Sequence, residues 1–396
     1  MIPFALQYVL VFIGTFLIAV TMTPLVRFLS FKIGAVDRPN ARRINKVTMP
    51  SAGGLAIIIA FTVACLVFLP LIIKTTDIHG RDYLSYVWPV VVSSLIIGIT
   101  GLVDDIVELS AKKKLIGQFL AAGVIYGFTD FHFDKFKLPF GGPFIEFDPI
   151  LTFLLTTIWI IGIMNAVNLM DGLDGLVAGV SIISLTTMGI VSYFFLFDSN
   201  LFLTMLIFLL VAAILGFLPY NYHPAIIYMG DTGALFIGFL IAVFSLQGLK
   251  NSTAVAVGTP MLILGVPITD TLMAIIRRSL SKQRIYEPDK MHLHHRLLSL
   301  GLSHRGTVLV IYAIAFIFSS ISLLFNISSR IGGILLVIGL VFGVWLLAEL
   351  IGILGEKRTP ILNLLRFIGN SGYRDQVLAK RRSKGKTHQK KNKRKA

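Results

Sequence analysis

The feature that most constrains this chain is a series of long apolar runs separated by short polar segments. A helix needs about 20 apolar residues to cross the roughly 30 Å hydrocarbon core of a bilayer. Runs of this kind lie near 4–30, 51–73, 86–104, 115–128, 151–168, 175–196, 201–219, 232–248, 254–276, 307–325 and 331–354. Because 115–128 is short and 232–248 is marginal, the pattern predicts an all-α, polytopic membrane protein with ten or eleven transmembrane helices.

The composition excludes several other classes of protein. Of the 396 residues, 55% are hydrophobic and only 14% are charged, whereas soluble domains carry about 25% charged residues. This excludes an ordinary cytosolic enzyme and a disordered chain. The single cysteine, Cys65, excludes a small disulfide-rich scaffold and is interpreted as a packing residue.

Lysine and arginine are distributed unevenly between alternate loops. One set of loops, including the C-terminal end, carries 30 of these residues and the other set carries 6. Cytoplasmic loops of membrane proteins are rich in Lys and Arg. The C-terminus is therefore predicted to be cytoplasmic and, with eleven spans, the N-terminus outside.

The net charge of +16 is concentrated at the C-terminal end, where ten of the 17 residues from Lys380 onward are basic. We interpret 380–396 as a disordered tail, after a transmembrane catalytic domain (1–355) and a juxtamembrane segment (356–379). The tail either attracts anionic lipid or serves topology and solubility. No aromatic residues interleave with its charges, so nucleic acid is not expected as a partner.

Acidic residues cluster at the predicted cytoplasmic ends of separate spans. Such acids are costly near a membrane, so they indicate function. Acids from several helix ends can converge on one pocket, where hard oxygen ligands suit Mg²⁺ and neighbouring Lys and Arg suit phosphate. The acids are Asp104, Asp105, Glu108, Asp171, Asp174, Asp231, Asp270 and Asp289.

Five motifs lie in the predicted cytoplasmic loops 31–50, 104–118, 165–175, 220–233 and 277–306. They cover residues 37–54, 101–118, 165–175, 221–234 and 289–298, and the third and fourth contain NxxNxxDGxDG and GDTG. In this order the chain resembles the polyprenyl-phosphate N-acetylhexosamine-1-phosphate transferases. These membrane enzymes move a sugar-1-phosphate from a UDP-sugar to a lipid phosphate.

The resemblance implies roles for the second and third motifs. Asp104 and Asp105 are assigned to catalysis, and Lys114 to a phosphate contact. Asn168 is implied as a ligand of Mg²⁺, with Mn²⁺ as a substitute. Asp171 is implied in the nucleotide or metal shell, and Asp174 is implied to contact the uracil.

The resemblance also implies roles for the fourth and fifth motifs. Asp231 matches the main Mg²⁺ ligand, and Tyr228 matches an aromatic that stacks on uracil, with an interfacial tyrosine as the alternative. The fifth motif is expected to face phosphate or sugar rather than zinc, since no cysteine ligand accompanies it. Its donors are His292, His294, His295 and Arg296.

The second and fifth motifs favour one branch of this family. The segments DDIVE and HLHHRL favour UDP-N-acetylglucosamine as donor and undecaprenyl phosphate as acceptor, in a multi-pass protein of the bacterial plasma membrane with a cytoplasmic site. The alternatives are a phospho-MurNAc-pentapeptide transferase and, from another class, a transporter. The resemblance leaves open a homodimer, and either direct attack by the lipid phosphate or a phosphoryl-enzyme.

Overall fold

The computed structural model describes residues 4–38, 47–72, 83–137, 144–195, 201–250, 260–280 and 292–352, with Pro360, Asn363 and Phe367. The tail 380–396 and nearly all of the juxtamembrane segment lie outside the described residues. Two compact units divide the chain. The first comprises Met1–Thr271 and Leu302–Gly333, and the second comprises Leu272–Gly301 and Ile334–Ala396.

Helices make up almost all of the described structure. They are α1 Phe4–Ile33, α2 Gly54–Val63, α3 Leu69–Ile72, α4 Tyr83–Val107, α5 Ala111–Phe128, α6 Pro149–Met170, α7 Leu176–Phe195, α8 Leu201–Asn221, α9 Gly230–Lys250, α10 Gly265–Leu280, α11 Leu293–Ser299, α12 His304–Ile327 and α13 Arg330–Ile351. A π-helical turn, Ala64–Phe68, joins α2 to α3. Two short antiparallel ribbons pair β1 Val36–Asp37 with β2 Met49–Pro50, and β3 Lys135–Lys137 with β4 Phe144–Glu146.

Eight helices within the described ranges are long and apolar enough to cross a membrane, which confirms an all-α polytopic protein. They are Leu6–Ile33, Gly54–Leu71, Tyr83–Val107, Pro149–Met170, Leu176–Phe195, Leu201–Asn221, His304–Ile327 and Ile331–Glu349. The other predicted runs also contain helix. The second to fourth residues of α5 are lysines, and the apolar part of α9 is short, Gly230–Leu246. The orientation of the termini stays a prediction.

Helix α9 lies at the centre of the first unit. It packs against α4 and α6, while α8 packs against α1 and α7, and α12 packs against α7. Its apolar side chains are buried on all sides, as Phe236, Phe239 and Leu240 show. A helix that is apolar all round belongs in an interior, so the GDTG motif at its start is held by a buried element.

Backbones approach one another directly at the start of α9. A Cβ atom added to Gly54 of α2 would lie 2.1 Å from the Cα of Gly233. A Cβ atom added to Gly101 of α4 would lie 2.6 Å from the Cα of Thr232. Three helices therefore meet backbone to backbone where the fourth motif begins.

The substitution Gly54→Ala is expected to destabilise the protein by about 2–3 kcal/mol, because the new methyl group meets backbone that cannot move aside. The measurement is the midpoint of thermal unfolding in detergent. Gly123→Ala in α5 is the control, since a Cβ atom there would meet nothing within 4 Å. An equal midpoint for the two variants would contradict this contact.

Candidate active site

The centre of the candidate site is a lysine shared between two aspartates. Asp104 lies near the end of α4, Lys114 lies in the first turn of α5, and Asp231 lies in the first turn of α9. The Lys114 ammonium is 2.5 Å from Asp104 Oδ2 and also pairs with Asp231 Oδ2. The structure thus brings together three of the predicted site residues from three helices.

The end of α4 explains how Asp104 and Lys114 meet. Glu108 has a left-handed backbone, with φ of 49°, which ends the helix. The Leu109 N–H then donates to Asp104 Oδ1 at 2.6 Å, so the buried Asp104 carboxylate, 7% exposed, holds the turn into α5. Because the turn between α4 and α5 is short, Lys114 in the first turn of α5 lies next to the Asp104 carboxylate.

The adjacent aspartate, Asp105, has a different environment. Its carboxylate accepts hydrogen bonds from the backbone N–H groups of Asp231 and Thr232, both at 3.0 Å, and from the Thr232 hydroxyl at 2.5 Å. The first N–H groups of a helix have no partner within the helix. Asp105 supplies that partner for α9 from a neighbouring helix, in the manner of an N-cap.

The turn before α9 requires a glycine. Gly230 has a left-handed φ of 69°, and a Cβ atom there would lie 1.7 Å from the Ser51 carbonyl oxygen. Only glycine fits both the conformation and the space. The first glycine of GDTG therefore lets the Asp231 side chain face the site.

Asn168, near the end of α6, completes the environment of Asp231. Its Nδ2 donates to Asp231 Oδ1 at 2.9 Å. One turn earlier, Asn165 and Gln118 form a reciprocal amide pair at 3.0 and 3.3 Å, which joins α6 to α5. The third motif therefore places one asparagine at the site and uses the other to fix the helices that hold it.

Asp171 follows the last residue of α6, and its pKa is raised by its surroundings. Burial, and then the charges of three neighbouring aspartates, raise the pKa of Asp171 to about 8. Those neighbours are Asp231, Asp105 and Asp174. So many carboxylates in one place favour the binding of a cation.

Asp174 is held by two histidines, His223 and His304, that were not among the predicted site residues. Its Oδ2 accepts from His223 Nδ1 at 2.7 Å, and its backbone N–H donates to His304 Nε2 at 3.0 Å. The neighbouring Arg305 donates two hydrogen bonds to the His223 carbonyl oxygen. His223 lies inside the fourth motif, so its position in the sequence could have indicated a role in the site. His304 and Arg305 follow the fifth motif, and no sequence pattern indicated them.

Tyr228 connects the fourth motif to the first. Its N–H donates to the Pro50 carbonyl at 2.9 Å, and its carbonyl accepts from the Gly53 N–H at 3.0 Å. The side chain is partly exposed. Burial, and then the negative charge of Asp174, raise the pKa of the Tyr228 hydroxyl. Tyr228 and Asp174 therefore belong to the same neighbourhood.

The fifth motif lies in the second unit. His292 and His294 are buried at the start of α11, and the His294 ring centroid is 4.2 Å from that of His295. A Cβ atom added to Gly352 would lie 2.6 Å from the Arg296 guanidinium, so the arginine lies against the end of α13. Their predicted contacts with substrate stay predictions.

Comparison with known proteins gives consistent relatives. Residues 87–249 match glycosyl transferase family 4. A probable undecaprenyl-phosphate N-acetylglucosaminyl 1-phosphate transferase of Bacillus subtilis is 40% identical over 90% of this chain and 95% of its own. A decaprenyl-phosphate N-acetylglucosaminephosphotransferase of Mycolicibacterium smegmatis is 35% identical over 72% of this chain and 74% of its own.

A relative from the other branch is more distant. A phospho-N-acetylmuramoyl-pentapeptide-transferase of Staphylococcus epidermidis is 27% identical over 72% of this chain and 88% of its own. The order of similarity agrees with the branch that the second and fifth motifs favour, and it sets the transporter alternative aside. The chain therefore belongs to glycosyl transferase family 4, as a polyprenyl-phosphate N-acetylhexosamine-1-phosphate transferase.

Proposed function

We propose that this protein transfers N-acetylglucosamine-1-phosphate from UDP-N-acetylglucosamine to undecaprenyl phosphate and releases UMP. The observation that carries the proposal is the site where Lys114 bridges Asp104 and Asp231 beside Asn168. The reaction is the first lipid-linked step of a cell-envelope polysaccharide, such as wall teichoic acid. The acceptor's polyprenyl chain stays in the bilayer, which explains why a membrane protein performs nucleotide-sugar chemistry.

The residues present fit a bound Mg²⁺, or Mn²⁺ in its place. Asp231 and the amide oxygen of Asn168 are hard oxygen donors, and Mg²⁺ binds through one or two such groups plus substrate phosphates. Burial raises the pKa of Asp171 first, and the negative charges of Asp231, Asp105 and Asp174 raise it further. Held by Asp231 and Asn168, the ion would neutralise the charge that develops on the diphosphate.

The protein's own residues position the two phosphates. Lys114 contacts two carboxylates, and an ammonium has three N–H donors, so one donor of this point charge can still face a phosphate oxygen. A phosphomonoester has a second pKa of about 6 and is mostly dianionic at neutral pH, so the acceptor scarcely needs a base. Asp104, which pairs with Lys114, is proposed to orient or deprotonate the acceptor phosphate.

We favour direct transfer. An acceptor phosphate oxygen attacks the β-phosphorus, the bond from that phosphorus to the bridging oxygen breaks, and UMP leaves with the electron pair. Asp105 is poorly suited to attack because three donors engage its carboxylate. We therefore assign it the positioning of Asp231. Phosphoryl transfer depends mainly on such positioning and charge neutralisation.

We propose that the site faces the cytoplasm of a bacterial plasma membrane. The support is the concentration of Lys and Arg in the loops beside the motifs. An N-terminus outside, binding of anionic lipid by the tail, and a homodimer remain predictions. Tyr228 and Asp174 are proposed to bind the uracil, and the fifth motif is proposed to bind the sugar or a phosphate.

The test measures UMP release by the purified protein in lipid. We expect release from UDP-N-acetylglucosamine only with both polyprenyl phosphate and Mg²⁺, and loss of release with EDTA. A donor panel adds UDP-N-acetylgalactosamine and UDP-MurNAc-pentapeptide. Faster turnover of UDP-MurNAc-pentapeptide would overturn the proposed branch, and no release from any donor would overturn the proposed reaction.

A further inference from the structure

One oxygen of the Asp174 carboxylate is saturated and the other is open. Oδ2 accepts from His223 Nδ1 at 2.7 Å and from the Ala225 N–H at 3.1 Å. Within the described ranges both hydrogen bonds to this carboxylate go to Oδ2, and the side chain is 15% exposed to solvent. A carboxylate held through one oxygen presents the other in a fixed direction.

The two histidines that surround Asp174 support each other. The Asp174 N–H donates to His304 Nε2 at 3.0 Å, so this nitrogen is an acceptor and the ring is neutral there. The His304 ring stacks on the His223 ring, with centroids 4.0 Å apart and planes at 18°. Arg305 donates to the His223 carbonyl at 3.0 and 3.2 Å. The first two residues of α12 thus contact both the third motif, through Asp174, and the fourth motif, through His223.

Asp174, His223 and His304 are close enough to hold a metal ion, since their ligand atoms lie within 4.8 Å of one another. Two features favour hydrogen bonding instead. The lone pairs of stacked, nearly parallel rings point in the ring planes and do not converge on one point. His304 Nε2 is also already occupied by a backbone N–H.

We propose that His223 and His304 are positioning residues that set the nucleobase specificity of the donor site, by aiming Asp174 Oδ1 at the imide N3–H of uracil. The inference rests on the proposed function, in which Asp174 contacts uracil. A carboxylate is acceptor-only, so it pairs with the N3–H of uracil and repels the unprotonated N3 of cytosine. A UDP-sugar is therefore preferred over a CDP-sugar.

The first test removes the His223 donor while keeping the ring. His223→Phe is expected to raise KM for UDP-N-acetylglucosamine and the Kd for UMP by about tenfold, the range for a hydrogen bond to a charged group. KM for polyprenyl phosphate should stay unchanged. His223→Asn places an amide N–H where Nδ1 lies, so its Kd for UMP should return to within about threefold of wild type.

The second test removes the His304 acceptor. His304→Phe keeps the stacked ring but not the acceptor, and His304→Gln places a carbonyl oxygen near the position of Nε2. We expect His304→Phe to weaken UMP binding and His304→Gln to restore it. In both positions the rescue by the conservative variant separates positioning from a general loss of folding, which thermal unfolding checks independently.

The control is His132→Phe, because His132 also makes a hydrogen bond, to the Tyr126 carbonyl at 2.7 Å. It lies past the end of α5, and Phe128 at that end is already about 21 Å from Lys114 along the helix axis at 1.5 Å per residue. His132→Phe should leave the Kd for UMP unchanged.

Binding of an N3-methyl UMP analogue distinguishes the outcomes. Wild type should bind it far more weakly than UMP, and His223→Phe should lose most of that preference. If wild type releases UMP but His223→Phe and His304→Phe bind both nucleotides as wild type does, the positioning inference is overturned while the proposed function stands. If wild type binds the two nucleotides equally, the contact between Asp174 and the imide is itself wrong.

Discussion

The substitution Asp231→Asn is expected to lower kcat by about three orders of magnitude, a loss typical of removing a preorganised electrostatic group from an active site. Asparagine keeps the size of the side chain but removes the charge that pairs with Lys114. It also removes the anionic oxygen proposed for Mg²⁺. The measurement is single-turnover UMP release at saturating donor and acceptor, over a range of Mg²⁺ concentrations.

The matched control for this prediction is Asp148→Asn. Asp148 accepts from the N–H groups of Ile150 and Leu151 at the start of α6, and asparagine is an equally good N-cap. The same chemical change at the opposite end of α6 from Asn168 should therefore leave kcat near wild type. If Asp231→Asn retained more than about a tenth of wild-type kcat, the proposed metal and phosphate site would be misplaced.

The second large effect is expected at Asp105. Asp105→Ala leaves the N–H groups of Asp231 and Thr232 and the Thr232 hydroxyl without their acceptor. Each unsatisfied buried group costs about 1–3 kcal/mol, so the midpoint of thermal unfolding should fall clearly. Because Asp231 is displaced with α9, kcat should fall by about a hundredfold or more.

Comparison with Asp105→Asn separates positioning from direct chemistry. The asparagine oxygen can still accept from the start of α9, so this variant should lie between wild type and Asp105→Ala in both kcat and unfolding midpoint. A nucleophilic carboxylate would behave differently. In that case Asp105→Asn would be as inactive as Asp105→Ala while remaining as stable as wild type, and our assignment would be wrong.

The fold class was predictable because every helix that crosses a bilayer needs about 20 mostly apolar residues. Hydropathy and length therefore located the helices, and the two runs identified as weak correspond to α5 and α9. Hydropathy could not reveal why α5 and α9 are shorter or less apolar than the other helices. The first turn of α5 carries Lys114, which pairs with Asp104 and Asp231. Helix α9 is buried inside the first unit, where it packs against protein on all sides.

The site was predictable as a set of residue types but not as a set of contacts. The sequence pointed to acids at one predicted face, and the structure brings Asp104, Asp231 and Asn168 together. The sequence could not distinguish Asp104 from Asp105, because the role of Asp105 depends on its contact with Asp231, which lies 126 positions away. His304 was missed because its partner, Asp174, lies 130 positions earlier, and the intervening chain gives no pattern that links them.

The reciprocal amide pair of Gln118 and Asn165 has a consequence for how the enzyme tolerates its membrane. Gln118 is buried, with only 1% exposed, and Asn165 is partly buried. The pair lies one helical turn from Lys114 on α5 and from Asn168 on α6. A slip of one helix past the other by a turn, about 5.4 Å, would break both of its hydrogen bonds at once. We therefore expect the pair to resist sliding of α5 along α6 when the bilayer thins or thickens, which would keep the spacing between Lys114 and Asn168 on either side of Asp231 constant.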